Sequence, residues 1–309
     1  MHCLICRSSS VVVELRGMFD DRFGCPDEVD IRRCTNCGHR SIDPLRPDSE
    51  LKVLYETYYG RSGPIHQLTY SRTRAMVLRE ALPGRHFLRQ AKGRSLLDIG
   101  CGSGEFLARA TALGFQVTGI DVDSHAVEAA RSHGFSAHCG TAASDALRDA
   151  SFDVITLNQV IEHVEDPLST LVSLRDRLES AGILFIATPN GDSASLRRTG
   201  RNWINWHVPY HQHIFSQNSL RLVAAAAGLT PVRVSTRTPM IWTLLQQQHT
   251  YEPITLGEER WPWRGPTTTA RPRGSDTVDR VASVAHSCIR LIDDLRGAGD
   301  CIMATFRRA

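Results

Sequence analysis

The sequence predicts an α/β fold with a largely parallel sheet, preceded by a small cysteine-bearing ribbon. Three observations carry this expectation. From residue 93 onward, short apolar runs alternate with helical patterns, and such alternation gives parallel strands joined by right-handed crossovers. The first apolar run, Ser95 to Ile99, leads straight into a turn that holds Gly100, Gly102 and Gly104. At the N-terminus, Cys3-x-x-Cys6 and Cys34-x-x-Cys37 form two knuckles with residues 7–33 between them.

The knuckles come first. Each C-x-x-C pair points two thiolates at one ion, and two pairs complete a tetrahedral zinc site. Cys3, Cys6, Cys34 and Cys37 are therefore the expected ligands, with Cys25 and His39 as substitutes at poorer spacing. Arg7, Arg32, Arg33 and Arg40 flank the knuckles and are expected to offset the thiolate charge, and Gly38 permits a tight backbone turn. So short a segment buries little core, so the zinc is expected to be structural, its four positions filled and none open to water.

The ribbon is expected over residues 1–45, a helical linker or cap over 46–92, and the main domain over 93–309 with an insertion at about 240–298. In the linker, Asp48 to Tyr59 reads as a short helix. A second follows, with Leu68, Ala75, Leu78 and Leu82 on one face and Pro83-Gly84 as its stop. Arg61, Arg72, Arg74, Arg79, Arg85, Arg89, Lys92 and Arg94 make this region basic. Only Tyr70 is interleaved for base stacking, so a solvated face over the cleft is expected and a nucleic-acid partner is disfavoured.

In the main domain, strands are expected near 95–99, 116–121, 135–138, 152–157, 182–188 and 230–236. Helices are expected near 104–113, 124–132, 168–179 and 217–227. The last has Ser216 as N-cap, Phe215 and Leu220 as a hydrophobic staple, and Gly228 as terminator.

A glycine turn after a strand lets a nucleotide-like ligand lie against the backbone. The spacing here is G-x-G-x-G, and no Lys-Ser/Thr pair follows to grip a phosphate. Asp98 precedes the turn, where a carboxylate repels pyrophosphate and attracts an ammonium group. Asp121 ends the next strand, where a carboxylate accepts two hydrogen bonds from a ribose diol. A cofactor with a ribose, a cationic amino-acid end and no phosphate is S-adenosylmethionine.

With these residues in view, the chain resembles the class I S-adenosylmethionine-dependent methyltransferases. LLDIGCGSGEF resembles the family's first motif, GIDVD its ribose-binding tip, FDVITLNQVIEHVEDP its fourth-strand motif and GILFIATPN its fifth strand. The resemblance spans roughly residues 93–236. It implies a Rossmann-like seven-stranded sheet, parallel apart from one antiparallel C-terminal strand, for which Cys301 to Phe306 is suited. It also implies that Asp98, Gly100, Cys101, Gly102 and Gly104 line the methionine end and that Asp121 holds the ribose. Val122 would lie beside the adenine, with Asn158 and Gln159 closing the methionine side.

Composition agrees with an enzyme of this kind. Hydrophobic residues make up 41% of 309, ample for a core, and a net charge of +3 argues for no particular partner. No apolar run approaches the ~20 residues of a membrane span, and the first residues lack the apolar core of a signal peptide. Nine cysteines, mostly scattered, fit a reducing cytoplasm better than a disulfide scaffold. The Trp261–Pro266 loop and an apolar-patterned helix near 277–296 are expected to build either the acceptor pocket or a homodimer interface.

Methyl transfer is an in-line displacement, and a hydroxyl acceptor must also lose its proton. Histidine is the natural base near neutrality. His163 follows the fourth strand of the core, and the Trp203–Phe215 loop, with His207, His211 and His213, overhangs the same end of the sheet. His163, His211 and His213 are the catalytic candidates. A metal among the loop histidines is disfavoured because no matching carboxylate run is evident. Asn158-Gln159-Val160 departs from the Asn-Pro-Pro-Tyr signature of adenine and amide methylation. By resemblance, a four-cysteine ribbon ahead of this core accompanies small-molecule and sugar methyltransferases or an RNA methyltransferase. The expectation is O-methylation of a small hydroxylated acceptor, a sugar or secondary metabolite. The alternatives are C-methylation of a deoxysugar, RNA methylation and, last, a non-catalytic binding module.

Overall fold

The computed structural model describes residues 2–58, 85–250, 255–258 and 290–309. The basic helix expected between Leu68 and Leu82, the Trp261–Pro266 loop and most of the 277–296 helix lie outside these residues.

The main sheet contains β4 (Ser95–Ile99), β5 (Gln116–Asp121), β6 (Ser136–Cys139), β7 (Phe152–Asn158), β8 (Leu178–Pro189), β10 (Leu229–Arg237) and β11 (Cys301–Arg308). Its order is β10-β11-β8-β7-β4-β5-β6, with β11 antiparallel to both neighbours and the remaining pairs parallel. The expected seven-stranded arrangement is present. Parallel strands covered on both faces need apolar side chains at successive positions, and Leu96, Leu97, Val154, Ile155, Leu157, Ile183, Leu184 and Ile186 are all fully buried.

The helices between the strands are α3 (Glu105–Thr111), α4 (Ser124–Ser132), α5 (Pro167–Asp176), α6 (Ala194–Thr199) and α7 (Gln217–Ala226). They follow α1 (Asp48–Thr57) and a single turn, α2 (Arg85–Leu88), and precede α8 (Met240–Thr250). α5 stops three residues before the expected 179 because Leu178 already pairs with Phe152 as the first residue of β8. α7 begins as expected at the Ser216 cap, but the reciprocal partner of its capping box is Ser219. Gly228, at φ +74°, ends it.

The N-terminal segment forms an antiparallel sheet of β1 (Val11–Phe19), β2 (Glu28–Cys34) and β3 (Arg40–Asp43). A fourth strand, β9 (His213–Ile214), comes from the loop after β8, with Arg40 opposite Ile214 and Ser41 opposite His213. The reason is apolar surface. Met18, Val29, Ile31 and Ile42 of the ribbon pack with Trp203, Trp206, Val208 and Ile214 of the loop in one buried cluster. A segment this short cannot cover its own apolar face, and the loop supplies the missing half.

Three of the four arginines expected to offset the thiolates, Arg32, Arg33 and Arg40, pair with carboxylates instead. Arg32 pairs with Asp43 at 2.5 Å, Arg33 approaches Glu14 at 3.6 Å, and Arg40 grips both oxygens of Glu14 at 2.5 and 3.0 Å. Each guanidinium meets a carboxylate across the ribbon sheet, a planar match that sulfur does not offer.

Candidate active site

The glycine turn follows β4, with Gly100 at φ +73°, Gly102 at +52° and Gly104 at +90°. Their surroundings differ. A Cβ at Gly100 would lie 2.4 Å from Val160 Cγ2 and one at Gly104 2.8 Å from Phe135 Cδ2, whereas Gly102 faces open space. Two glycines let the turn pack on its neighbours, and the third exposes backbone to any ligand at the strand ends. Cys101 turns inward against Gly119, where an added Cβ would meet its Sγ at 2.6 Å.

Asp121 fastens this turn to the tip of β5. Its Oδ2 accepts from the Gly102 N–H at 2.8 Å and its Oδ1 from the Asp123 N–H at 3.0 Å. Burial raises its pKa above the usual carboxylate range. Asp98 is 3% exposed and accepts a 2.5 Å hydrogen bond from Thr156 Oγ1. Burial pushes its pKa up to about 7, Asp121 adding to the rise and Thr156 opposing it. One buried and one partly buried carboxylate beside an open backbone make a setting that a cationic ligand group would relieve. Val122 is half exposed at the same edge. Asn158 ends β7, and Gln159, held at φ +59°, donates from Nε2 to Cys301 Sγ at 3.5 Å.

The second half of the site lies just past β7. Glu162 is fully buried, accepts from Thr188 Oγ1 at 2.9 Å through Oε2, and leaves Oε1 with no hydrogen-bond partner among the described residues. Its main-chain carbonyl accepts from the N–H groups of Gln212 and His213, drawing the histidine loop onto this turn. Burial pushes the Glu162 carboxyl up to about 8. His163 Nδ1 lies 3.0 Å from the Tyr210 carbonyl and 2.8 Å from the Tyr55 hydroxyl of α1. His211 Nδ1 lies 2.8 Å from the Asn205 carbonyl, and its Nε2 is 3.3 Å from His207 Nδ1. The rings of His163 and His211 are 4.6 Å apart, centre to centre. One donor atom from each of Glu162, His163 and His211 lies within 4.8 Å of the other two.

Burial takes the His163 pKa down to about 4 and holds His207 and His211 well below the usual histidine range. All three rings are therefore neutral at pH 7, with lone pairs available. His213 is elsewhere. On β9 its Nδ1 faces His39 Nε2 at 3.2 Å, inside the contact between the ribbon and the loop. The structure thus brings together two of the three catalytic candidates and adds Glu162, His207 and Tyr55. Glu162 supplies the carboxylate that the loop sequence lacks, because it arrives from the turn after β7. The i, i+4 spacing of His207 and His211 was a readable signal, since His211 N–H donates to the His207 carbonyl as in one helical turn.

The four ribbon cysteines also converge. Cys3 Sγ lies 3.6 Å from Cys37 Sγ and Cys6 Sγ 3.5 Å from Cys34 Sγ, and all four sulfurs fall within 4.8 Å of one another. A tetrahedron with Zn–S bonds of about 2.3 Å has edges of about 3.8 Å. Arg7 and Gly38, each following the second cysteine of its knuckle, adopt φ +61° and +77°. Cys25 is outside the cluster, donating its N–H to Asp20 Oδ2 at 3.0 Å.

Comparison with known proteins places these features in context. The family described as "Methyltransferase domain" matches residues 70–234. A ubiquinone biosynthesis O-methyltransferase of Cereibacter sphaeroides is 29% identical over 189 residues, covering 56% of this chain and 76% of that one. One from Thiobacillus denitrificans is 27% identical over 216 residues, covering 66% and 83%. The crystal structure of a Thermotoga maritima S-adenosylmethionine-dependent methyltransferase, titled a possible histamine N-methyltransferase, has the same fold. Its TM-score is 0.50 at 20% identity, covering 84% of this chain and 100% of that chain.

Proposed function

The chain belongs to the methyltransferase-domain family and is an S-adenosylmethionine-dependent methyltransferase; from that premise we propose that it methylates an oxygen of a small hydroxylated acceptor, a sugar or secondary metabolite. The observation that carries this reading is the meeting of two half-sites at the carboxyl ends of β4, β5 and β7. A buried carboxylate, Asp98, and a partly buried one, Asp121, flank an open glycine backbone on one side, and a neutral histidine cluster stands on the other.

On the cofactor side, Asp98 would hold the ammonium group, Gly100 to Gly104 the methionine backbone and Asp121 the ribose. Val122 would flank the adenine, and Asn158 and Gln159 would close the methionine end. S-adenosylmethionine, when bound, supplies an electrophilic methyl group on sulfur. On the acceptor side, His163 and His211 are the bases. His211 points Nδ1 at the Asn205 carbonyl, so in its neutral ring Nε2 is the proton-accepting nitrogen, while His163 Nδ1 lies between the Tyr210 carbonyl and the Tyr55 hydroxyl. The relatives named for ubiquinone biosynthesis support an O-methyl acceptor in general. Zinc in the four-cysteine cluster has a structural part in this reading, since four thiolates leave no position for substrate.

The test is to incubate the protein with methyl-labelled S-adenosylmethionine and panels of phenols, quinols and sugars, and to follow S-adenosylhomocysteine release. The expected result is acceptor-dependent release and label in an ether oxygen. Label in an aromatic or sugar carbon, or failure to bind either cofactor form in calorimetry, would overturn the proposal.

A further inference from the structure

We infer that the seam between the ribbon and the main domain holds a second small-molecule site, one that takes an organic monoanion with a carboxylate head and a compact apolar body. Such a site goes beyond methyl transfer and does not depend on it.

The seam encloses a cavity of about 390 Å³, within the range of small-ligand sites, about 300–1,000 Å³. The ribbon lines it with Leu15 of β1, Arg33 of β2 and Arg40 of β3. Facing them are Leu196 and Arg197 of α6 and Trp206 of the histidine loop. No lining residue belongs to the cofactor half-site or to the histidine cluster.

Charge selects the head group. Two carboxylates, Glu14 and Asp192, and the three guanidinium groups meet at the cavity. Glu14 and Arg40 neutralise each other, since Arg40 holds both Glu14 oxygens at 2.5 and 3.0 Å and gives Nη1 to the Gly191 carbonyl at 2.9 Å. Asp192, Arg33 and Arg197 then leave an excess of one positive charge. Arg33 comes only to 3.6 Å from Glu14, and its Nε is buried with no hydrogen-bond partner among the described residues. Arg197 gives Nη1 to the Asp192 carbonyl at 2.6 Å, which leaves its other nitrogens for a ligand. A buried donor left unmet is costly, and a planar guanidinium matches a carboxylate in two bonds. One excess charge suits a monoanion, and a phosphate dianion exceeds it.

The apolar wall selects the body. Leu15, Leu196 and Trp206 supply it, and Trp206 is fixed by its Nε1 bond to the Gly200 carbonyl at 2.9 Å. An aromatic carboxylate lays a flat apolar face on such a wall while its head meets the guanidinium groups.

An occupant touches the ribbon and the histidine loop at once, so binding stabilises their docked arrangement. Trp206 immediately precedes His207, which is held at φ +41° with its ring 4.7 Å from that of His211. The cavity is thereby one residue away from the acceptor side, and its ligand steadies the loop there.

The experiment uses the full chain with its ribbon loaded with zinc. Benzoate and indole-3-acetate are titrated by calorimetry, with benzyl alcohol as the uncharged counterpart of benzoate. One carboxylate per chain is expected, with benzyl alcohol weaker by about 10-fold or more. Arg33→Gln and Arg197→Gln should each lower carboxylate affinity by about 10-fold or more, as loss of a charge-assisted hydrogen bond does. S-adenosylhomocysteine affinity should stay within a few fold of the parent chain in both variants, which reports an intact fold. Bound carboxylate should also slow amide exchange across residues 203–215, and unchanged exchange would remove the link to the loop. No binding of either carboxylate, equal affinity for benzyl alcohol, or unchanged carboxylate affinity in both variants would overturn the site. The methyltransferase reading survives each of these results, because cofactor affinity is read separately.

Discussion

His213 Nδ1 lies 3.2 Å from His39 Nε2, joining the loop that carries His211 to the residue just past the second cysteine knuckle. Both rings are buried. Nearby, Ser216 Oγ donates to the Cys37 carbonyl at 2.6 Å while also capping α7. The ribbon therefore braces the loop, and it also reaches the histidine cluster itself, where the Phe23 ring lies 5.6 Å from that of His207.

Zinc held by the four cysteines would carry that brace, so removing it should damage the site at a distance. Chelation, or Cys34→Ser, is expected to lower the melting temperature and speed amide exchange across residues 203–215, because zinc binding supplies folding free energy to small ribbons. Unchanged exchange in that loop after metal loss would refute the bracing role. His39→Ala should give a milder form of the effect, about 1–3 kcal/mol for an unsatisfied buried partner.

Asp98 should make cofactor affinity depend on pH. Its folded pKa, about 7, stands above the usual carboxylate value. The empty fold thus keeps a proton that the unfolded chain gives up. The group's cost to stability appears as pH rises above ~4 and is complete above about 7. A bound ammonium group favours the ionised form and reverses this, so saturating cofactor should raise the melting temperature more at pH 8 than at pH 5.5. Asp98→Asn should remove that difference and weaken S-adenosylmethionine by roughly 30-fold, the ~2 kcal/mol expected when a buried charge pair loses one partner. Calorimetry at two pH values checks both.

His163→Ala and His211→Ala should each lower turnover by a factor on the order of 100 or more, as loss of a general base does. His213→Ala should instead reduce thermal stability and leave cofactor affinity alone. Comparable activity losses in all three, with equal stability, would contradict the proposed division of roles.

Trp203 is fully buried in the cluster shared by ribbon and loop. Trp203→Ala should cost about 3–5 kcal/mol, measured by urea unfolding. Gly102→Ala is a different test, because the space around it is open and only its φ of +52° resists a side chain. That change should cost about 1 kcal/mol of stability and weaken cofactor binding more than its effect on folding explains.

The sequence was most legible where the chemistry is local. The strand-turn-helix around Gly100, the acid at the tip of β5 and the C-x-x-C knuckles each announce themselves within a dozen residues, and β4 and β5 have the bounds expected of them. What was not legible depends on distant segments meeting. Glu162 looks like one more acid in a turn until Thr188 and the loop close over it. His213 looks equivalent to His211, yet His211 closes the turn that starts at His207, while His213 belongs to β9 beside β3 and meets His39. Tyr55 reaches His163 from a helix whose pattern shows only an apolar face. Arg33 and Arg40 turn from the thiolates because Glu14 lies across the ribbon sheet, a register that spacing does not reveal.

The strand borrowed by the ribbon has a consequence for the order of events during synthesis. β3 ends at residue 43, but its neighbour β9 begins only at residue 213. At ~5–20 residues per second, the ribbon leaves the ribosome on the order of ten seconds or more before the strand that covers its edge. Throughout that interval an open row of backbone donors and acceptors is presented to other chains, the usual template for intermolecular pairing. The ribbon expressed alone would keep that edge permanently, and should self-associate unless a peptide spanning residues 203–215 is supplied in trans.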